Sequence, residues 1–277
     1  DYLKNPNYTK EDVEGISTTD KTLLRHVSIL KQSYGFGFES IAAMKKDLNR
    51  GLKSFNERLD YNLNVDFDGR KIVGDNPDDF KDRNYGNGDV QAKNGRTHGT
   101  HVSGIIAAKR NNGIGMNGVA NNVKIMAIRN TPNGDEYDKD VALGVYYAVD
   151  NGAKVINMSF GKSFSPHSDW VRDAIAYAAK KDVLIVAASG NDGKNTDQIN
   201  YFPNDQIDNG PEVSNNFVKV GSNGPKYGST LAASYSNYGK NTVDVFAPGS
   251  QIYSTYPKNS YEFASGTSMA SPMVAGV

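Results

Sequence analysis

The chain contains no cysteine, so it uses no disulfides and has no thiolate to complete a soft metal site. Charge of either sign is also lacking in excess: 31 Lys and Arg balance 31 Asp and Glu. That balance removes the electrostatic case for a nucleic-acid or anionic-membrane partner. No apolar run approaches the roughly 20 residues that a membrane-spanning helix needs, and no internal repeat is evident. Histidine is scarce, four in 277 residues, so a pair of histidines close together carries information. The length suits one large α/β domain.

Beyond Gly88 the pattern alternates. Val123-Lys-Ile-Met-Ala-Ile-Arg129 reads as a strand, followed by a helix carrying Val141, Val145 and Val149. Lys154–Met158 is a second strand, a helix around Trp170–Lys180 comes next, and Val183-Leu-Ile-Val-Ala-Ala188 is a third strand. Phe217–Val220 and Val243–Phe246 extend the series. Strands and helices alternating at this spacing predict an α/β fold whose mostly parallel sheet is covered on both faces. A site in such a sheet gathers at the carboxyl ends of the strands, where Ser159 and Asn191 both fall.

Three segments carry chemistry. Gly266-Thr-Ser-Met-Ala-Ser-Pro272 presents Ser268 at the start of a helix, where unpaired backbone N–H groups steady negative charge. Gly266 permits a tight turn, and Pro272 is tolerated near the first helical turn. Gly95-Arg-Thr-His-Gly-Thr-His-Val102 opens a second helix near His98. A neutral imidazole there is a natural base for a hydroxyl. His98 and His101 are three apart with Gly-Thr between them, unlike the four-residue spacing and intervening Glu of a zinc-peptidase helix, so His101 is assigned a structural role. In the third segment, Ala188-Ser-Gly-Asn-Asp192 follows an apolar run, and the Asn191 amide is a candidate oxyanion donor.

With these segments in hand, the chain resembles the subtilisin-like (subtilase) serine peptidases. The resemblance runs from about Gly88 to Val277 and includes Val155-Ile-Asn-Met-Ser-Phe-Gly161 and Val243-Asp-Val-Phe-Ala-Pro-Gly249. It implies a three-layer α/β fold and endopeptidase activity through an acyl-enzyme. Ser268 corresponds to the nucleophile, His98 to the base, and Asn191 with the Ser268 N–H to the oxyanion donors. It implies polypeptide substrates bound as an extended strand along Ser159, Phe160 and Gly161. Those residues with Ala188, Ser189 and Gly190 form the walls of the first specificity pocket. Small residues there predict room for a sizeable apolar side chain, and Asp192 at the rim offers a partner to Lys or Arg. An inactive subtilase-like scaffold, or an ester-directed hydrolase, is the alternative the same residues permit.

The family's orienting Asp precedes its His, at the end of an apolar strand. Asp66 and Asp68 are the nearest candidates, but their surroundings are polar. The expectation is that the Asp strand lies upstream of residue 1, that residues 1–277 are an excerpt, and that the excerpt alone is nearly inert. Residues 1–60 predict a helical insertion or extension. Its first helix has Leu23, Val27 and Leu30 at helical spacing, and its second has Ile41, Met44, Leu48, Leu52, Phe55 and Leu59. The peptidase domain is expected over 61–277. Gly74–Asp82 concentrates carboxylates in a loop that could hold structural calcium; the chemistry itself requires no cofactor. Abundant Tyr, Asn and Gly suit a secreted or bacterial envelope protein.

Overall fold

The computed structural model describes residues 8–35, 40–91, 96–131, 134, 136–208 and 210–277. Gly95, read above as part of a helix entry, lies outside the described residues. The chain divides into two compact units, residues 1–68 and 69–277, so the boundary falls later than the expected 60/61. The first unit runs on because its last helix continues into a π-helical turn, Arg58–Asn62, after which Tyr61 and Phe67 pack edge to face at 4.9 Å.

The first unit holds α1 (Lys10–Glu14), α2 (Lys21–Gly35) and α3 (Ile41–Glu57). Thr9 and Asp12 form a reciprocal capping box on α1, and Asp20 accepts the Thr22 and Leu23 N–H groups at the start of α2. Val13, Val27, Tyr34 and Ile41 make its core, with Leu23, Leu30 and Met44 around them. Only the first turn of the α3 stripe joins that core. Leu48, Leu52, Phe55 and Leu59 are 60–66% exposed.

The second unit begins with the short α4 (Arg70–Val73), then α5 (His98–Ala107) and α6 (Asp138–Asp150). There follow β1 (Val155–Met158), α7 (Ser168–Lys180), β2 (Leu184–Ala188), β3 (Phe217–Asn223) and β4 (Val245–Pro248). The antiparallel hairpin of β5 (Ile252–Tyr256) and β6 (Ser260–Ala264) precedes the final helix α8 (Thr267–Gly276). Strands β1 to β4 are all parallel, in the order β1-β2-β3-β4.

Side-chain alternation along β2 builds the layers. Ile185 and Ala187 face the core formed with α6 and α7, through Val141, Val145, Val171, Ala174 and Ile175. Val186 faces the other way, onto Ala270 of α8 together with Val220 and Ala247. Helices therefore cover both faces of a parallel sheet, as expected.

One expected strand is missing. Residues 123–129 form no ladder, and Val123, Ile125, Met126 and Ile128 are exposed. β-forming side chains make a strand only where a neighbour accepts the backbone N–H and C=O groups. Among the described residues, β1 pairs with β2 alone, so its other edge is open.

The acidic loop differs from the calcium expectation. Buried Asp75 bridges Arg70 (2.5 Å) and Lys139 (2.7 Å), and Arg70 reaches Asp140 at 2.6 Å. Asp82 accepts the Asn76 N–H, and Asp78 pairs with His167 at 3.0 Å. These oxygens are built around protein cations, and no group of three ligating acidic or His side chains occurs among the described residues.

Candidate active site

Helices α5 and α8 pack through Val102, Ile105 and Met269. At their far ends both meet the same segment: Val119 and Ala120 donate to Ile105 and Ile106 carbonyls, and Gly276 sits against Val119. The two helices thus run side by side in the same sense. Their first turns, with His98 and Ser268, lie at the same end. His101 is buried on the inner side of α5, where Nε2 donates to the Glu262 carbonyl at 3.0 Å. That hydrogen bond supports its structural assignment. His98 itself reaches solvent. Protein packed around the ring, and the neighbouring His101, hold its pKa below the ordinary 6.5.

Asn191 follows β2 and is fixed by its carbonyl end, since Oδ1 accepts the Thr267 N–H (2.8 Å) and hydroxyl (3.1 Å). These bonds assign the amide orientation and leave Nδ2 as the outward donor. They also cap α8 from outside, because its own N-cap, Gly266, has no side chain. A methyl placed on Gly266 would lie 3.5 Å from Asn191 Oδ1, 3.6 Å from Asn191 Nδ2 and 3.7 Å from the Ser268 nitrogen. The Asn191 amide and the Ser268 nitrogen therefore border the space that glycine leaves empty. The φ of +154° at Gly266 independently demands glycine.

Pro272 sits well inside α8, beyond the first turn where the sequence suggested it. Proline in a helix interior removes the N–H owed to the carbonyl four residues earlier, at a cost of about 3 kcal/mol. Here that carbonyl belongs to Ser268, and the Ser159 hydroxyl donates to it at 2.8 Å. In return the Ser268 hydroxyl donates to the Ser159 carbonyl at 3.0 Å. The hydroxyl must turn from this carbonyl to meet an imidazole. Asn157 extends the network, donating to Ser159 Oγ (2.9 Å) and accepting from Ser271 (2.7 Å).

Of the expected pocket walls, Ala188 and Ser189 are buried, and the Ser189 hydroxyl donates to the Asn237 carbonyl. Gly190 and Gly161 face each other across the slot, and the ring of Tyr201 lies against both. Phe160 packs on the α6–α7 core. Glu136 accepts the Gly161 N–H; burial pushes its carboxyl above the usual range, against the pull of Lys162 and that N–H. Asp192 is exposed, as a rim residue should be. Asp66 and Asp68 are exposed in the first unit, and neither is on a strand.

Sequence reasoning missed Asn237, Asn157 and Tyr201. Asn237 is fully buried; it accepts the Asp192 and Lys194 N–H groups and donates to the Ser189 carbonyl, fixing the loop that carries Asn191. Nothing in Tyr235-Ser-Asn-Tyr238 distinguishes such a brace from a turn residue.

A sequence model of the subtilase family of peptidases matches residues 4–277. The thermophilic serine proteinase of Bacillus sp. (strain AK1) is 41% identical over 220 residues, which is 79% of this chain and 48% of that protein. Thermitase of Thermoactinomyces vulgaris is 42% identical over 190 residues, 68% of this chain and 62% of thermitase. Among solved structures, a protease of Pseudoalteromonas arctica PAMC 21717 matches with a TM-score of 0.55 and 37% identity, over 65% of this chain and 56% of that one. The chain thus spans about half to three-fifths of the length of these relatives. With the parallel sheet and the paired helix starts, this places the chain in the subtilase family.

Proposed function

We propose that this chain supplies the nucleophile, base and oxyanion donors of a serine endopeptidase. The observation that carries the reading is the space beside Gly266, bordered by the Asn191 amide and the Ser268 nitrogen, with Asn191 Oδ1 already bonded to Thr267 so that Nδ2 is left as its donor. In the proposed reaction, Ser268 Oγ attacks the scissile carbonyl while His98 takes its proton. The carbonyl oxygen becomes an oxyanion held by the two donors. His98 then returns the proton to the leaving amine, and water hydrolyses the acyl-enzyme by the same route. Substrate lies as an extended strand along Ser159–Gly161, with main-chain hydrogen bonds giving sequence-tolerant affinity. Its partner is a polypeptide, and the place of action is the bacterial envelope or outside the cell. The described residues include no helix long and apolar enough to cross a membrane.

The carboxylate that orients His98 is proposed to come from a strand outside residues 1–277. Support comes from the sheet: among the described residues β1 has an open edge, and residues 123–129 expose four large apolar side chains without a ladder. One added strand would answer both. Without it, residues 1–277 are an inactive shell, the second reading that the open edge favours for this piece by itself. Casein hydrolysis tests the pair of statements. Residues 1–277 alone are expected to be nearly inert, whereas a chain extended upstream hydrolyses casein and loses that activity on Ser268→Ala. Robust hydrolysis by residues 1–277 alone, abolished by Ser268→Ala, refutes the missing-strand statement. A folded, extended chain without Ser268-dependent hydrolysis refutes the peptidase reading.

A further inference from the structure

The slot between Gly161 and Gly190 looks open from sequence, because both walls are small. Its contents say otherwise. A methyl built on Gly161 would lie 2.6 Å from Tyr201 Cε1, and one built on Gly190 would lie 2.6 Å from Tyr201 Cζ. One edge of a single ring therefore touches both walls, closer than any side chain larger than hydrogen would allow. Asn237 Nδ2 at 2.3 Å and a φ of +103° also hold Gly190 to glycine, and the Phe202 carbonyl at 2.7 Å crowds Gly161, so the Tyr201 ring borders two positions that admit no side chain.

Tyr201 is held from several directions. Residues 162 and 202 form a bridge in which each N–H donates to the other's carbonyl, at 2.9 and 2.8 Å, tying the segment after Tyr201 to the proposed substrate strand. Buried Lys219, on β3, donates from Nζ to the Tyr201 carbonyl at 3.0 Å and to the Pro203 carbonyl, and lies 5.6 Å from the Tyr201 ring centre. Burial, with Asp192 and Glu136 nearby, pushes the Tyr201 phenol up to about 12, so the ring is neutral across working pH. It is a fixed floor rather than a mobile side chain at a rim.

We infer that Tyr201 closes the slot that would receive the side chain on the amino side of the scissile bond, restricting that residue to glycine, alanine or serine. The inference rests on the peptidase reading above and replaces the roomy apolar pocket that the wall residues suggested. It also removes the reason to expect Lys or Arg there, since a long side chain cannot pass the ring to pair with Asp192. An overfilled pocket rejects a larger group more sharply than an open pocket rewards it; one methylene in a well-fitted site already discriminates by about 10- to 200-fold.

The test uses two readouts on the extended protein. The first is equilibrium binding to the Ser268→Ala variant of peptides that differ only in alanine or phenylalanine at this position. The second is kcat/KM of the native enzyme for the same pair. Both are expected to favour alanine by at least tenfold. Tyr201→Gly should raise the phenylalanine peptide at least tenfold relative to alanine, and Tyr201→Phe, which keeps the ring, should leave the ratio unchanged. Preference of the native enzyme or of Ser268→Ala for phenylalanine, binding of neither peptide, or a ratio indifferent to Tyr201→Gly overturns the inference. If Tyr201→Gly does not fold, the native ratios decide alone. Alanine-selective binding without hydrolysis by the native protein counts against the peptidase reading and leaves Tyr201's role supported.

Discussion

Two apolar runs of this chain look alike on paper and end up differently. Val183–Ala188 becomes β2, paired on both sides and buried through Ile185, Val186 and Ala187. Residues 123–129, equally rich in β-branched and long apolar side chains, lie exposed and unpaired. What separates them is neighbours. β2 has β1 and β3 to receive its backbone groups, while the second run has no strand beside it among the described residues. Strand propensity is a fit to a half-buried pleated surface, and it has no effect where that surface is absent.

The sharpest way to break this comparison is a matched pair of truncations. In residues 1–277, Ile185→Ala should cost about 2–5 kcal/mol, because a fully buried side chain leaves a cavity. Ile125→Ala should cost under about 0.5 kcal/mol, as exposed positions do. Denaturant midpoints measure both. In a chain extended by the proposed strand, the Ile125→Ala cost should rise toward the buried value; equal costs in the short chain would remove the contrast altogether.

The end of β2 carries the next effect. Asn191→Ala in the extended protein should lower turnover by about 10²–10³, the loss known for the corresponding amide in subtilisin, a member of this family. KM should change little, since the amide meets charge that develops only in the transition state. A fall in kcat/KM arising from KM alone would contradict that role.

A smaller effect concerns the base. Packing and His101 hold the His98 pKa below 6.5, so the neutral, proton-accepting form persists to lower pH than for a free imidazole. In residues 1–277 the His98 ring, followed by NMR, is expected to titrate below 6.5, and a midpoint at or above 7 would contradict this. The same sign governs stability. The unfolded chain binds the proton more readily, so this group's contribution is present above 6.5 and lost as pH falls through that value to the lower folded pKa.

Much of the fold was legible because its signals were local. The run 183–188, the 141–149 helix stripe and the small-residue entry to α5 are each read within a dozen residues, and each formed the expected element. The helix starts that carry His98 and Ser268 were legible too, since each residue falls in the first turn of its helix. Tyr201 was hidden because Ile199-Asn-Tyr-Phe-Pro203 reads as a loop, and only the fold folds that loop over two distant glycines. Pro272 was misjudged for a similar reason: its orphaned carbonyl is satisfied by Ser159, 109 residues away in sequence. Within 74–82, the Asp75 carboxylate pairs with Arg70 and Lys139, partners that the loop's own sequence does not name.

In the proposed reaction an imidazole, a hydroxyl and an amide from three separate segments act as one unit. Stoichiometric labelling by a fluorophosphonate tests it most directly, with the modified residue located by mass spectrometry in the extended protein. The expected result is one equivalent on Ser268, slowed at least 10³-fold by His98→Ala and at least tenfold by Asn191→Ala. Labelling at another serine, or a Ser268 rate indifferent to His98→Ala, would contradict the claim.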